Sequence, residues 1–286
     1  MHYRELLPPR DLAPFVHCFW LLQAEATPTP LVEPVLPDCG VELVVHVGDR
    51  FLRHRDGRPH LQPRALLVGQ LTGPLAIQAT GTAAMVAARF RIGGASPFLG
   101  GLPLCELTDR DVDADDVWPD DGRALVTAIG DASTDAERVA PLIAFLRTRL
   151  RLQHHHPAVG AAATWFDRPG ASATPIDALA HHLDLGPRQL QRLFDQHVGL
   201  GPKRIGRIRR FQELLAAVRA TPNLPFAALA VRCGYADQAH LGRDFREFAG
   251  TTPSRWLAQH TPLAARLAGF DDADVASVQG RLVQGR

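Results

Sequence analysis

A repeat of about 50 residues near the C-terminus constrains the fold of this 286-residue chain more than any other feature. In Ile176–Gly199, apolar residues at helical spacing continue to a Leu-Gly-Pro break and then resume. Phe226–Gly250 has the same pattern around a Gly-Tyr-Ala-Asp break. The two segments align at an offset of 50 residues before the break and 51 after it, so the second turn holds one extra residue. This periodicity indicates a structural repeat in which each copy forms two short helices joined by a turn.

The apolar positions of both second helices are predicted to be buried. These positions are Leu190, Phe194, Leu241 and Phe245. Cys233 lies at a core position of the same pattern, at the end of the first helix in the second copy.

Two helices joined by a short, glycine-containing turn are typical of DNA-binding proteins, in which the second helix enters the major groove. Arginine can form two hydrogen bonds with guanine, and glutamine can do so with adenine. The second helices would present such side chains to solvent, namely Arg188, Gln191, Arg192, Gln238, His240 and Arg243. Arg192 and Arg243 coincide when the copies are aligned.

The region from Ala158 to His260 resembles the AraC/XylS family of bacterial transcription regulators. The resemblance is most specific in Leu229–Trp256, where glycine and an aromatic residue at the turn are followed by Phe-x-x-Phe and Gly-x-x-Pro. It implies two helix-turn-helix units that read adjacent major-groove segments on one face of DNA, joined by a rigid helix.

By position in the motif, the resemblance transfers base contacts to six residues. These are Arg188, Gln191, Arg192, Gln238, Ala239 and Arg243. Ala239 and Gly242 have no side-chain group that hydrogen bonds to a base. We therefore expect the second unit to depend on Gln238, His240 and Arg243, and to have the weaker sequence specificity.

Lys203–Ala220 matches the expected connecting helix, because its apolar residues are spaced for one buried stripe. At about 1.5 Å per residue this helix would span about 27 Å. Its first turns contain several basic residues, among them Lys203, Arg204, Arg207, Arg209 and Arg210. They are candidates for contacts with DNA phosphates, and the alternative is an ordinary solvated face.

The distribution of charge agrees with DNA binding by the C-terminal part. Residues 170–262 hold 12 basic and 7 acidic residues, whereas the remainder holds 19 and 23, although the net charge of the whole chain is only +1. A locally positive segment is expected to meet phosphates. No stretch has the roughly 18 uninterrupted apolar residues of a membrane span. Four scattered cysteines suit a reducing compartment, so we expect a cytoplasmic protein without membrane contact.

The first 120 residues predict a β-rich domain. Short apolar runs separated by Gly, Pro and Asp clusters occur at Val41–Val47, Ala65–Gly69, Leu75–Ala79 and Met85–Ile92. The segment resembles an N-terminal domain of unassigned function that precedes AraC-type DNA-binding regions, and this implies a cupin-like or small barrel fold. The expected class is therefore α+β, with a β-rich sensor domain before an all-α domain.

Glu42 and His46 would face the same side of one strand, where they are candidates for an effector pocket or for core hydrogen bonds. The region lacks the His-x-His pair and following Glu of a metal-binding cupin. We predict no metal, no cofactor and no enzymatic activity.

The predicted domain boundaries are 1–125 for the sensor, 126–157 for a helical linker, 158–262 for the DNA-binding domain and 263–286 for a weakly ordered tail. Glu137–Leu152 has the pattern of an amphipathic helix. It would either pair with a second copy of the chain, giving a homodimer, or pack against its own sensor domain.

The leading hypothesis is a transcription regulator that binds specific sequences in double-stranded promoter DNA. In this hypothesis the N-terminal domain responds to a small-molecule effector or a partner, and RNA polymerase is a further candidate partner. The alternative is a small-molecule-binding or enzymatic β-domain that the helical part tethers to DNA.

Overall fold

The computed structural model describes residues 2–55, 57–119, 121–168, 170–221 and 224–258. It contains a β-rich N-terminal domain followed by a helical C-terminal domain, as the sequence predicts. The predicted tail at 263–286 lies outside the described residues.

In the described part of the N-terminal domain, ten strands form two antiparallel sheets. They are β1 His2–Leu6, β2 Val16–Ala24, β3 Val32–Val35, β4 Glu42–His46, β5 Leu52–Arg55, β6 Arg58–Leu61, β7 Ala65–Val68, β8 Leu75–Gln78, β9 Ala83–Phe90 and β10 Asp111–Asp113. The six-stranded sheet has the order β1-β2-β9-β4-β7-β10, and the four-stranded sheet has the order β3-β8-β5-β6. The four predicted runs coincide with β4, β7, β8 and β9.

The six-stranded sheet is apolar on both faces, because it lies between the smaller sheet and a layer of helices. Val44 of β4 belongs to the core between the two sheets. Leu43 and Val45 of the same strand belong to the core on the opposite face. This alternation follows from the two-residue period of a strand.

Three helices follow the last strand and cover the six-stranded sheet. They are α1 Ala114–Val117, α2 Asp121–Gly130 and α3 Asp135–Arg149. A capping box at Thr134 and Glu137 begins α3. Leu142 and Leu146 of α3 are fully buried in the core under the sheet. The apolar face of this helix therefore packs against its own domain, and the N-terminal core extends into the segment predicted as a linker.

Seven helices form the described part of the C-terminal domain. They are α4 Pro157–Phe166, α5 Ile176–His182, α6 Pro187–His197, α7 Pro202–Ala220, α8 Phe226–Arg232, α9 Gln238–Ala249 and α10 Pro253–Ala258. The pairs α5–α6 and α8–α9 correspond to the two copies of the repeat.

The turns after α5 and α8 begin with the same backbone motif. The amide of Leu185 donates to the carbonyl of Ala180 at 3.0 Å, and the amide of Tyr235 donates to the carbonyl of Ala230 at 2.9 Å. The preceding residue has a positive φ in both cases, 52° at Asp184 and 72° at Gly234. These are the features of a Schellman cap. The offset is still 50 residues at this point.

The extra residue of the second turn lies immediately after the Schellman motif. Gly186 precedes the first residue of α6, whereas Asp237 precedes the first residue of α9, which changes the offset to 51. The additional residue is therefore Ala236. Its insertion places the Asp237 side chain at the N-cap, where it accepts a hydrogen bond from the amide of His240 at 2.6 Å.

The central helix α7 joins both helix pairs in one core. Its Ile205, Ile208 and Phe211 are fully buried. The Phe211 ring lies 5.4 Å from the rings of Phe245 and Phe248 on α9. One apolar cluster contains residues from α5, α6, α7, α8 and α9, so the two pairs do not form separate units.

The N-terminal domain packs closely against the helical domain. Leu36, Cys39 and Ile92 belong to the apolar cluster of the helical domain. The Thr108 hydroxyl donates to the carbonyl of Gly199 at 2.7 Å. Because Gly199 follows α6, this contact fixes the end of the first repeat copy against the N-terminal domain.

We expect Gly199→Ala to destabilise the protein by about 1–3 kcal/mol, the usual cost of a strained backbone conformation. Gly199 has a φ of 94°, and a Cβ atom there would lie 2.9 Å from the carbonyl oxygen of Leu104. Denaturant unfolding measures the effect. Gly242→Ala is the control, since a Cβ atom at this helical glycine would make only an ordinary contact, 3.8 Å from Nη1 of Arg246, and alanine favours a helix. Equal stability of the two variants would contradict the prediction.

Candidate nucleic-acid interface

The outward face of α6 presents three polar side chains from its first two turns. Arg188, Gln191 and Arg192 are all exposed. The opposite face of α6 is anchored by Leu190 and Phe194, which are 1% and 0% exposed. This division fixes the three polar side chains on the solvent side of the first pair.

Gln191 differs from the two arginines because its amide has a partner within the helix. Its Nε2 donates to Oδ1 of Asp195 at 2.8 Å. The amide also lies over Gly201, where a Cβ atom would come within 2.7 Å of Nε2. To contact a base, the Gln191 amide has to break its hydrogen bond with Asp195 and form a new one with the edge of the base.

The outward face of α9 is hollow in its middle and polar at its margins. Gln238, Ala239 and Arg243 are exposed on this face. They line a cavity of about 590 Å³ together with Gly242 and residues at the start of α10. The hollow exists because alanine and glycine occupy positions where larger side chains would fill it.

His240 lies at the edge of the reading face of α9. Its ring packs edge-on against Tyr235 at a centroid distance of 5.2 Å, and the residue is half-buried. Tyr235 is itself buried, and burial raises the pKa of its hydroxyl above the ordinary value. The buried Tyr235 ring therefore forms one wall of the His240 side-chain environment.

A groove of about 850 Å³ separates the start of the first helix pair from α9. Asp177 of α5, Lys203 and Arg210 of α7, and His240 and Arg243 of α9 are among its lining residues. The Arg210 guanidinium lies over the Tyr235 ring at 5.3 Å. The lining holds four Lys or Arg side chains and three Asp or Glu side chains, so basic groups exceed acidic ones by one.

Arg204 and Arg207 face acidic residues of α9. The Arg207 guanidinium donates to Oδ1 of Asp244 at 2.7 Å and also forms an ion pair with Glu247. Arg204 forms an ion pair with the same glutamate. Burial opposes the charged form of Arg207, but the hydrogen bonds that it donates to Glu247 and Asp244 raise its pKa.

The sequence prediction did not include Asp244 or Glu247 as partners of these arginines. A signal was present, because Arg204 and Arg207 are three residues apart on one helix and the two acids are three apart on another. Residues at this spacing lie on one helix face. Which helix faces would meet could not be derived from spacing alone.

Glu42 and His46 lie on the same side of β4, as the alternation predicts. The Glu42 carboxylate accepts hydrogen bonds from Nε1 of Trp20 at 3.2 Å and Nε of Arg89 at 2.7 Å. His46 is 1% exposed and packs against the Phe51 ring at 5.6 Å. Burial lowers the pKa of His46 to about 4.

No group of three or more His, Cys, Asp or Glu side chains in the described ranges is arranged to bind a metal ion. No described helix is both long and apolar enough to cross a membrane.

Two family models match separate parts of the sequence. Residues 179–259 match a helix-turn-helix domain, and residues 4–113 match a domain of unknown function, DUF6597. The C-terminal part of the chain is an AraC-type helix-turn-helix domain. The AraC-type domain makes the protein a DNA-binding transcription regulator. No curated protein matches the chain in sequence.

Solved structures similar to the chain include ToxT from Vibrio cholerae. A 1.65 Å structure of ToxT is 7% identical, with a TM-score of 0.45, over 91% of this chain and 100% of that one. A structure of wild-type ToxT with a bound unsaturated fatty acid is 9% identical, with a TM-score of 0.41, over 84% and 94% of the two chains.

We expect His46→Phe to reduce the loss of stability between pH 7 and pH 5. A buried histidine with a lowered pKa binds fewer protons than in the unfolded chain, so its contribution is complete above about pH 6.5 and is lost as the pH falls towards 4. At pH 5 the lowered pKa of this residue reduces the free energy of unfolding by about 2 kcal/mol relative to its value at neutral pH. Denaturant unfolding of both proteins at the two pH values measures it. An identical pH dependence in the variant would contradict the assignment.

Proposed function

We propose that the two helix pairs read adjacent major-groove segments of one promoter site, with α6 and α9 as the reading helices. The observation that supports this most strongly is the equivalence of Arg192 and Arg243. Both are exposed, both lie on the outward face of a second helix, and they are 51 residues apart in the register that the turns define. Among the described residues, neither guanidinium forms an ion pair.

The two reading helices differ in the chemistry that they offer to base edges. Arg188, Gln191 and Arg192 of α6 supply hydrogen bonds to guanine and adenine. On α9, Gln238, His240 and Arg243 supply polar contacts on either side of the hollow at Ala239. An alanine methyl group is suited to apolar contact with the methyl group of thymine. The second unit therefore combines hydrogen bonding with recognition of thymine.

Lys203 is the residue of α7 best placed to contact a phosphate. It is exposed at the start of the helix and lines the groove between the first pair and α9. A single ammonium group binds phosphate as a point charge without a fixed geometry. This contact would strengthen binding to all sequences equally.

The N-terminal domain modulates how the reading helices engage DNA. Contacts between the domains support this part of the proposal, because several of them end on or beside the proposed reading units. The Ser96 hydroxyl lies 2.8 Å from Nδ1 of His197, the last residue of α6. A small-molecule effector of the N-terminal domain, RNA polymerase and a second copy of the chain are candidate partners.

Arg192→Ala and Arg243→Ala should each weaken binding to the preferred site by about 1–3 kcal/mol and relax specificity at one base position. Selection of bound sequences from a random DNA pool, followed by titration, measures both effects. Arg10→Ala, an exposed arginine in the N-terminal domain, is the matched control. Retention of the wild-type motif and affinity by both reading-helix variants would contradict the proposed function.

Replacement of thymine by deoxyuracil in the half-site of α9 should weaken binding several-fold, because deoxyuracil lacks the methyl group that Ala239 contacts. The same replacement in the half-site of α6 is the control and should have a smaller effect. Equal responses of the two half-sites would show that Ala239 does not read thymine.

A further inference from the structure

Arg204 contacts both domains of the protein through one guanidinium group. Its Nη2 donates to the carbonyl of Thr72 in the N-terminal domain at 2.6 Å. Its Nη1 forms an ion pair with Glu247 on α9, and the guanidinium lies 5.1 Å from the centre of the Phe248 ring. The side chain on α7 therefore connects a loop of the N-terminal domain to the second reading helix.

The loop that Arg204 contacts is held in place within its own domain. Asp109, which has a φ of 57°, accepts hydrogen bonds from the amide of Thr72 at 2.7 Å and from its hydroxyl at 2.5 Å. The carboxylate thus determines the position of the Thr72 carbonyl. A change in this part of the N-terminal domain would move the acceptor of the Arg204 hydrogen bond.

The same loop abuts the C-terminal end of α9. A Cβ atom at Gly73 would lie 3.4 Å from the carbonyl oxygen of Glu247. A Cβ atom at Gly250 would lie 3.2 Å from Cγ of Pro74. The loop and the end of the reading helix are therefore in close contact on both sides of Arg204.

Arg207 supports the same attachment one turn further along α7. Its partner Asp244 is only 2% exposed, whereas the Arg207 side chain is 27% exposed, so the ion pair lies at the margin of the α7–α9 contact. Its guanidinium lies 5.1 Å from the Phe248 ring, as that of Arg204 does. Together the two arginines hold α9 at a defined angle against α7.

A basic residue of the connecting helix could bind a DNA phosphate or form contacts within the protein. The contacts of Arg204 favour the second role. A guanidinium that binds a phosphate needs donors free to face DNA. Nη1 and Nη2 of Arg204 face the Glu247 carboxylate and the Thr72 carbonyl, and Nε is buried without a hydrogen-bond partner among the described residues. A phosphate contact would therefore require the Nη1 and Nη2 bonds to break.

We propose that Arg204 is a positioning residue that links the N-terminal domain, through Thr72 and Glu247, to the second reading helix. In this role it affects which sequences α9 accepts, and it makes no contribution to phosphate binding. The inference rests on the proposed function, because it presumes that α9 reads one half of a two-part DNA site.

The test measures affinity for a selected two-part site and for the same site with the α9 half scrambled, over a range of salt concentrations. For Arg204→Gln we expect the ratio of the two affinities to fall about tenfold, the factor that the loss of one base contact brings. The slope of log affinity against log salt should remain that of the wild type. The neighbouring Lys203→Gln is the matched control, and it should keep the ratio but flatten the slope by about 0.9.

A double-mutant cycle tests the link to the N-terminal domain. Asp109→Gly removes both acceptors of the Thr72 hydrogen bonds, tolerates the positive φ at this position and leaves α7 and α9 unchanged, so it should lower the same ratio. The double variant should be no worse than Arg204→Gln alone, because both changes interrupt one connection. If Arg204→Gln does not fold, Glu247→Gln replaces it in the cycle and removes the ion pair from the other side.

Two results would overturn the inference while leaving the proposed function intact. The first is an Arg204→Gln variant that flattens the salt slope and keeps the sequence preference, as a phosphate contact would. The second is fully additive effects of Asp109→Gly and Arg204→Gln. If the wild-type protein selects no two-part site, the proposed function itself fails.

Discussion

The apolar face of α7 is the constraint on which the helical domain depends. A helix of 19 residues rises about 28 Å, which is long enough to contact both helix pairs. Ile205, Ile208 and Phe211 are fully buried along this face. Because short helices are not stable alone, α5, α6, α8 and α9 owe their positions to this packing. The separation of the reading helices is therefore a property of a shared core.

The N-terminal domain packs directly against this core. Buried apolar residues from both domains form one cluster, and Gly93 approaches α4 so closely that a Cβ atom there would lie 2.1 Å from Cγ1 of Val159. Three of the polar contacts across the junction end at His197, Gly199 and Arg204, which belong to or flank the two helix pairs. In the proposed function, these contacts would carry a structural change in the N-terminal domain to the two reading helices.

The repeat could be predicted closely from the sequence because it is local. Schellman turns, N-caps and apolar stripes depend on residues within a few positions of each other, and even the additional residue in the second turn was evident from the change of offset. The β-rich domain was harder to predict. β2 is a continuous apolar run with no alternation, because the sheet is covered on both faces, and the polar edge strand β6 has no apolar pattern.

The partners of charged side chains could not be predicted for a different reason. The base-reading candidates were chosen from helix faces alone, and the structure places Arg188, Arg192 and Arg243 on exposed faces as expected. Arg204 looked equally suitable for DNA, yet its partners lie 43 residues away at Glu247 and 132 residues away at Thr72. Only the packing of α7 against α9 and against the N-terminal domain brings these groups together.

The central claim is that one rigid core holds two reading helices at a fixed separation. The most direct test is the affinity of the protein for selected DNA sites in which half a turn or one full turn, about 5 or 10 base pairs, has been inserted between the two half-sites. A rigid α7 predicts that both insertions reduce the affinity to that of a single half-site. Unchanged affinity after the full-turn insertion would contradict the claim, because it would mean that the two units move independently.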